Sequence, residues 1–453
     1  MELFGTAGIR GDVVERVTPE LALQVGRAAG QDGEEFVLGY DGRITSPALA
    51  DALAAGLASA GIEVVRVGAV PTPTLAWASR GRRGVMITAS HNPPHDNGIK
   101  LFVDGQEYDG EAERRISDRI DTGVAPTEWG RWGDTTAVEP LAEYRRAVAA
   151  YAGDYGSDPS DLTVAVDSGN GMSGVATPQV LRELGADVRA VEANVDGYFP
   201  ARESKPTAET LSEFRSFVAD TTVDIGIGHD GDSDRIVVVD SDGAVVHEDT
   251  ILAILGEHYT RASAADDPVV VTTPNASGRV DERVSAAGGR VERVHLGALH
   301  EGIARVRADA DEGTAVVFAG EPWKHIHPAF GGWIDGVVSA AVLTCLFASE
   351  SLADRRAVVP ERPYRKVSVD CPDAAKADAM ETLTESLPAT YPEASVSTEY
   401  GVRLSFDDGS WTLVRPSGTE PYVRVYAESD DVDTLVEGVV ETVAEAVATQ
   451  SEG

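Results

Sequence analysis

The sequence predicts an α/β protein: three related mixed α/β domains with largely parallel sheets, and a smaller C-terminal α+β domain, around a central cleft. Three observations predict it. At 453 residues the chain is too long for one ordinary core. A strand–helix–strand unit recurs through its first three quarters, and such units pack as parallel strands covered by helices. Beyond residue 358 the pattern changes to closely spaced strands and one closing helix. The resulting domains are 1–155, 156–250, 251–358 and 359–453.

The first unit is "FVLGYDGRITSPALADALAAGLASAGIEVVRVG" (36–68), the second "LTVAVDSGNGMSGVATPQVLRELGADVRAVE" (162–192) and the third "VVVTTPNASGRVDERVSAAGGRVERVHLG" (269–297). Each helix is expected to stop at a glycine, Gly61, Gly185 or Gly288, ahead of a β-branched strand, as helix C-cap chemistry requires. A further apolar strand then leads into an unusual loop. "GVMI" runs on to Ser90, "VDIGI" to Asp230 and "AVVFAG" to Glu321. Parallel α/β folds bind ligands beyond the carboxyl ends of their strands, so the three loops are expected to face one cleft. In the last part, "RKVSVD", "GVRLSFDDGSWTLVRP" and "YVRVYAES" read as strands and 431–449 as an amphipathic helix.

A hydrophobic share of 42% and an aromatic share of 6% suit a soluble globular chain. No run is long and apolar enough to span a membrane, and Met1-Glu2-Leu3-Phe4-Gly5 lacks the regions of a signal peptide. Cys345 and Cys371 are too few for a disulfide framework or a cysteine metal cluster. A cytoplasmic enzyme is expected. The net charge of −37 argues against nucleic acid and anionic membranes as partners, because both favour basic surfaces. Lysine occurs only at 100, 205, 324, 366 and 376, and the acid is spread along the chain. This composition fits a cytoplasm of high salt, where screening suppresses self-repulsion.

Two loops carry recognisable chemistry. "GHDGDSDR" (228–235) alternates Asp230, Asp232 and Asp234 with small residues, so that all three can face one hard cation. A calcium EF-hand would need Gly at its sixth position and Glu at its twelfth, where Arg235 and Ser241 stand. Gly226, Gly228 and Gly231 fit G-x-G-x-x-G, but that motif must open a helix and "RIVVVD" continues as a strand. In "RPSGTEP" (415–421), Arg415 can grip an anion bidentately while Ser417, Gly418 and Thr419 offer hydroxyls and backbone amides, which suits a phosphate. "TASHNPPHDNGIK" (88–100) presents Ser90 on a turn stiffened by Asn92-Pro93-Pro94. A nucleophile, a cation site and a phosphate clamp together suggest phosphoryl transfer.

Four motifs in order, "FGTAGIRG" (4–11), "TASHNP" (88–93), "DGDSDR" (230–235) and "RPSGTEP" (415–421), resemble those of the α-D-phosphohexomutase superfamily over nearly the whole chain. The resemblance implies a phosphorylated Ser90, with magnesium held by Asp230, Asp232, Asp234 and the serine phosphate. It further implies Arg10 and Arg235 near the transferring phosphoryl group, Lys100 as general acid/base and His91 as its helper. Arg415, Ser417, Gly418 and Thr419, with Arg424 nearby, would clamp the phosphate that does not react.

One departure concerns the sugar. The family's loop usually reads Gly-Glu-x-Ser-Gly, whereas this chain has "GEPWKHIHP" (320–328), keeping Glu321 and placing Trp323 and Lys324 where the serine and glycine stand. The expected activity interconverts sugar 1-phosphates and 6-phosphates through a bisphosphate, with glucosamine phosphate as first substrate. Mannose or glucose phosphate follows, and a pentose phosphate is an alternative that the altered loop allows. A phosphosugar phosphatase and a non-catalytic sensor are the rivals outside the class.

Overall fold

The computed structural model describes residues 3–5, 8–417 and 421–451. The chain forms two compact units: one comprises the residues up to Ile251 with Phe318–Arg355, the other Leu252–Val317 with the residues from Arg356 on.

In the first unit, strands β1 (Ile9–Asp12), β2 (Glu35–Tyr40), β3 (Glu63–Ala69), β4 (Arg83–Ile87), β5 (Asp96–Val103), β6 (Gln106–Glu107) and β7 (Thr135–Ala137) make one sheet in the order β1-β5-β4-β2-β3-β7, with β6 on β5. The pairs β2–β3, β2–β4 and β3–β7 are parallel, whereas β5 is antiparallel to β1, β4 and β6. Helix Pro19–Ala29 starts where Thr18 accepts from the Leu21 amide, with proline in its first turn. It packs on helix Ser46–Ser59 by backbone approach: a Cβ on Gly26 would lie 2.4 Å from the Leu53 carbonyl, and one on Gly56 2.3 Å from that of Leu23.

A second sheet in this unit has the order β11-β10-β8-β9, from β8 (Thr163–Asp167), β9 (Asp187–Val191), β10 (Ile225–His229) and β11 (Ile236–Asp240). β8 is parallel to β9 and β10, and β10 turns back antiparallel into β11. That hairpin excludes the dinucleotide reading of Gly226, Gly228 and Gly231, since no helix follows the glycines.

In the second unit β12 (Asp267–Thr272) and β13 (Arg290–Arg293) pair in parallel. The chain returns to the first unit through the end of β14 (Thr314–Glu321), which folds back antiparallel on β15 (Lys324–Ile326). The rest of the second unit carries an antiparallel sheet, β16 (Tyr364–Asp370), β20 (Tyr422–Glu428), β19 (Trp411–Pro416), β18 (Val402–Ser405) and β17 (Ser395–Ser397), in that order. Helices Lys376–Thr390 and Val432–Ser451 contribute Leu383, Leu387, Val439 and Val443 to its core. The expected helix stops Gly61, Gly185 and Gly288 have φ of +93°, +110° and +91°, the left-handed backbone that glycine adopts without steric cost. Among the described residues no helix is long and apolar enough to cross a membrane.

Candidate active site

The chain leaves β2 toward β3 on one side and leaves β4 toward β5 on the other, so the crevice beyond β2 and β4 is a topological switch point. Asp41 follows β2 and Thr88 follows β4. The Asp41 amide donates to the Ile87 carbonyl (3.0 Å), and the Thr88 hydroxyl to Asp41 Oδ2 (2.7 Å). The serine loop begins there. Ser90 is fully buried with φ +52°, and its amide is held by Thr88 Oγ1 at 2.9 Å.

Arg43 holds this loop from within the protein. Buried to 1% exposure, its guanidinium donates to the carbonyls of Ser90 (2.9 Å), Asn92 (2.7 Å), Pro93 (2.6 Å) and Asp96 (3.1 Å), and to Asp41 Oδ2 (3.1 Å). Burial raises the Asp41 pKa, against the pull of Arg43. Neither residue was singled out from the sequence. The signal available was an Asp-x-Arg directly after a buried strand at a switch point.

The aspartate loop joins β10 to β11. Ser233, at φ +67°, lets the chain turn between Asp232 and Asp234, and a Cβ on Gly231 would stand 2.6 Å from the Ser90 carbonyl. The two loops therefore meet backbone to backbone, and Ser90 Oγ donates to Asp230 Oδ2 at 2.6 Å. Thr72 fixes the far side, its hydroxyl donating to Asp232 Oδ2 (2.7 Å) and its amide to the Asp232 carbonyl (3.0 Å). Lys100 projects from β5 into the same cluster. Its Nζ lies 3.0 Å from Asp234, 3.3 Å from Glu107 and 3.7 Å from Asp232, and it is only 2% exposed.

The electrostatics follow from this crowding. Burial, then the charges of Asp234 and Asp232, push the Asp230 carboxyl well above the usual carboxylate range. Burial opposes ionisation of Asp234 as well, but Lys100, Arg235 and Lys324 outweigh it and hold its pKa low. Burial likewise disfavours the Lys100 ammonium, and Asp234, Glu107 and Asp232 more than compensate, so its pKa is raised. His91 Nδ1 lies 3.3 Å from Ser90 Oγ; burial, Arg235 and Arg10 bring its pKa down to about 2, so the imidazole is neutral.

The three aspartates fit a hard cation. All are buried, and one carboxylate oxygen from each lies within 4.8 Å of the others. Asp232 Oδ1 and Asp234 Oδ1 are buried with no hydrogen-bond partner, a costly state for carboxylate oxygens that a divalent cation would relieve. On the cationic side, Arg235 Nε lies 3.8 Å from Asp230 and from Asp234. Arg10, on β1, and Arg235 each leave a buried Nε without a hydrogen-bond partner. Two guanidiniums with spare donors, both acting on His91 next to the buried Ser90, make a setting for a phosphoryl group.

The β14–β15 hairpin is tied to the aspartate loop through its backbone, the Ile236 amide donating to the Trp323 carbonyl at 3.1 Å. Lys324 Nζ lies 2.9 Å from Glu321 Oε1. Trp323 takes φ +71°, and its half-buried ring packs on the cluster of Leu211, Phe214 and Val218. Ser90, His91, Lys100, Arg10, Arg235 and the three aspartates thus assemble with Glu321 and Lys324 in the first unit, while the indole is engaged with the second sheet's hydrophobic cluster.

In the second unit, Arg415 on β19 stands directly opposite Arg424 on β20. Like charges directly opposite on adjacent strands repel unless an anion lies between them. Arg415 donates to the Tyr426 hydroxyl at 3.1 Å and keeps a buried Nε without a hydrogen-bond partner. The Ser417 carbonyl accepts from Lys376 at 2.7 Å and its amide donates to the Tyr422 carbonyl at 3.0 Å. Gly418 and Thr419 lie outside the described residues.

Family models described as phosphoglucomutase/phosphomannomutase alpha/beta/alpha domain I, alpha/beta/alpha domain II and C-terminal domain match residues 1–126, 142–243 and 367–446. The chain is 40% identical to a phosphopentomutase of Thermococcus kodakarensis, covering 99% of each. It is 39% identical to a probable phosphoglucosamine mutase of Methanopyrus kandleri, covering 94% of each. A crystal structure of a phosphoglucomutase/phosphomannomutase family protein from Burkholderia thailandensis superposes with a TM-score of 0.84 at 26% identity, over 100% of this chain and 98% of that one. The N-acetylphosphoglucosamine mutase of Aspergillus fumigatus, solved with GlcNAc-6P and magnesium, shares the fold at a TM-score of 0.61 and 17% identity, over 98% and 96% of the two chains.

Proposed function

Because the chain belongs to the phosphoglucomutase/phosphomannomutase family of the α-D-phosphohexomutase superfamily, and is a mutase of that type, we propose that Ser90 carries the phosphoryl group it exchanges. The observation that supports this reading most is the 2.6 Å hydrogen bond from Ser90 Oγ to Asp230, inside a buried carboxylate cluster with unsatisfied oxygens. In one half-reaction the bond between phosphorus and Ser90 Oγ breaks as a bond to the sugar hydroxyl forms, giving a sugar bisphosphate. In the other, the second phosphate returns to Ser90. Lys100, kept protonated by its carboxylates, gives a proton to the oxygen that loses the phosphoryl group and regains one from the attacking hydroxyl. Neutral His91 orients Ser90 Oγ. Arg10 and Arg235 grip the transferring group, and Arg415, Ser417 and Arg424 the phosphate that stays. Asp230, Asp232 and Asp234 would hold magnesium with the serine phosphate; when bound, the ion spreads the charge of the transferring group. We read the −37 charge as adaptation to a salty cytoplasm, and 1–155, 156–250, 251–358 and 359–453 as the functional domains.

For the sugar, glucosamine phosphate is supported by the probable phosphoglucosamine mutase of M. kandleri. A second reading, a pentose phosphate, is supported by the T. kodakarensis phosphopentomutase and by the hairpin itself. Glu321, the residue suited to bond sugar hydroxyls, already has Lys324 at 2.9 Å. We favour the pentose, which asks fewer hydroxyl contacts of this loop. Glucosamine, glucose, mannose and ribose phosphates assayed side by side test the choice; the highest kcat/KM on a hexose phosphate rejects the pentose. Intact mass with peptide mapping tests the mechanism, and an active preparation that stays unmodified at Ser90 throughout turnover rejects it.

A further inference from the structure

A cavity of about 280 Å³ adjoins the aspartate loop in the first unit, with Lys205, Thr207, Arg235, His247, Glu248 and Trp323 in its wall. Arg235 belongs to both places, since the same guanidinium lies 3.8 Å from Asp230 and Asp234 and leaves its buried Nε without a hydrogen-bond partner. The segment carrying Lys205 is fastened to the serine loop: buried Ser204 donates to the Asn92 carbonyl at 2.9 Å. The Lys205 charge is felt at His91, where it adds to the effect of burial, Arg235 and Arg10.

Comparing the lysines singles this one out. Lys100 is held by Asp234 and Glu107, Lys324 by Glu321 and Lys376 by Asp373, while Lys366 lies over the Tyr426 ring. Lys205 is exposed and makes no ion pair among the described residues. In a chain with 75 acidic residues, a lysine left without a carboxylate is unusual. Here it shares a cavity with an arginine that has a donor to spare. Glu248 is the acidic member of the wall, with His247 Nδ1 3.9 Å away, and Lys205 and Arg235 are its cations. A tryptophan wall with two cations suits a small, strongly charged anion.

We propose that this cavity is an accessory anion site for a phosphate dianion, gripped by Lys205 and Arg235 against Trp323. The anion is inorganic phosphate or the phosphate of a phosphosugar, held in the cavity next to the aspartate loop. Only its physiological source rests on the phosphotransfer reading; the site does not.

The test uses the full chain with Ser90→Ala, which cannot be phosphorylated at that position. Inorganic phosphate is titrated at constant ionic strength, by calorimetry and by tryptophan emission, with and without Trp323→Phe and Lys205→Gln. The expected result is saturable binding whose optical signal disappears with Trp323→Phe. Its dissociation constant should rise about tenfold with Lys205→Gln, the effect of one charge-assisted hydrogen bond. A repeat with glucose 1,6-bisphosphate distinguishes the sources. Lys205-dependent binding of both ligands marks a phosphate-monoester site, and of phosphate alone an inorganic-phosphate site; either supports the proposal. Calorimetric binding that is absent, or equally tight in Lys205→Gln, overturns it, and neither outcome bears on whether Ser90 is phosphorylated.

Discussion

Replacing Arg43 by lysine tests whether the position of Ser90 is imposed from behind. The arginine satisfies five acceptors: the carbonyls of Ser90, Asn92, Pro93 and Asp96, and a carboxylate oxygen of Asp41. An ammonium has about three N–H groups, so roughly two of these acceptors lose their donor. Asn92, Pro93 and Asp41 keep other donors in Ser204 Oγ, the Asp96 amide and Thr88 Oγ1, so the cost falls on whichever of the Ser90 and Asp96 carbonyls is left without one, about 1–3 kcal/mol each. Ser90 meanwhile sits at φ +52°, a conformation that costs a non-glycine residue about 1–3 kcal/mol and persists only where its surroundings enforce it. The loop should therefore relax, and a misplacement of about 1 Å at a reacting atom costs on the order of 100-fold. We expect Arg43→Lys to lower kcat by about two decades with a much smaller change in KM, and to lower the melting temperature. Turnover, Ser90 occupancy by intact mass and thermal unfolding are measured on the same preparation. Wild-type kcat would refute the positioning argument; if stability alone fell, Arg43 would be a packing element of the domain and no more.

Asp232→Asn should lower activity by at least about 100-fold and weaken its dependence on magnesium without reducing stability. The asparagine can still accept from Thr72, and one of three crowded like charges is removed; undiminished turnover across a magnesium titration would show the cluster to be an ordinary turn. Arg415→Lys should weaken substrate binding by roughly one to two decades, because lysine keeps the charge but loses the planar fork, worth about 1.5–3 kcal/mol per charge-assisted bond. Equal dissociation constants for mutant and wild type would place the phosphate elsewhere. Exchanging Trp323 and Lys324 for Ser and Gly takes the Lys324 ammonium away from Glu321 and should raise kcat/KM for hexose phosphates relative to ribose phosphate, leaving Ser90 phosphorylation intact; a uniform loss on every sugar would mean that the hairpin serves only to support the aspartate loop.

What the sequence made legible and what it hid differ in the kind of partner involved. The helix stops at Gly61, Gly185 and Gly288 are local, needing only a residue at ease with positive φ, and the structure has all three there. The aspartate loop is local too: carboxylates at every second position between two short apolar runs can hardly avoid converging. The serine loop looked self-sufficient because Asn-Pro-Pro reads as stiff, yet Arg43 grips it from 47 residues away. That contact is invisible in a single sequence, because its acceptors are backbone carbonyls, which every residue has and no residue type announces. The Thr72–Asp232 bond, 160 residues apart, is hidden for the same reason of distance. Trp323 shows the opposite case. Its residue type was conspicuous, but direction is set by backbone: φ +71° and the hydrogen bond from the Ile236 amide accompany an indole packed on the second sheet's hydrophobic cluster, and it is Lys324 that meets Glu321. Lys100 joins the two lessons. Taken alone, a lysine in so acidic a chain reads as a solvated surface charge; placed on β5 it is 2% exposed among Asp234, Glu107 and Asp232. An ammonium buried that deeply is tolerable only with its counter-charges in contact. The carboxylates that make the cluster attractive to a cation are therefore also what allows Lys100 to stay charged beside it.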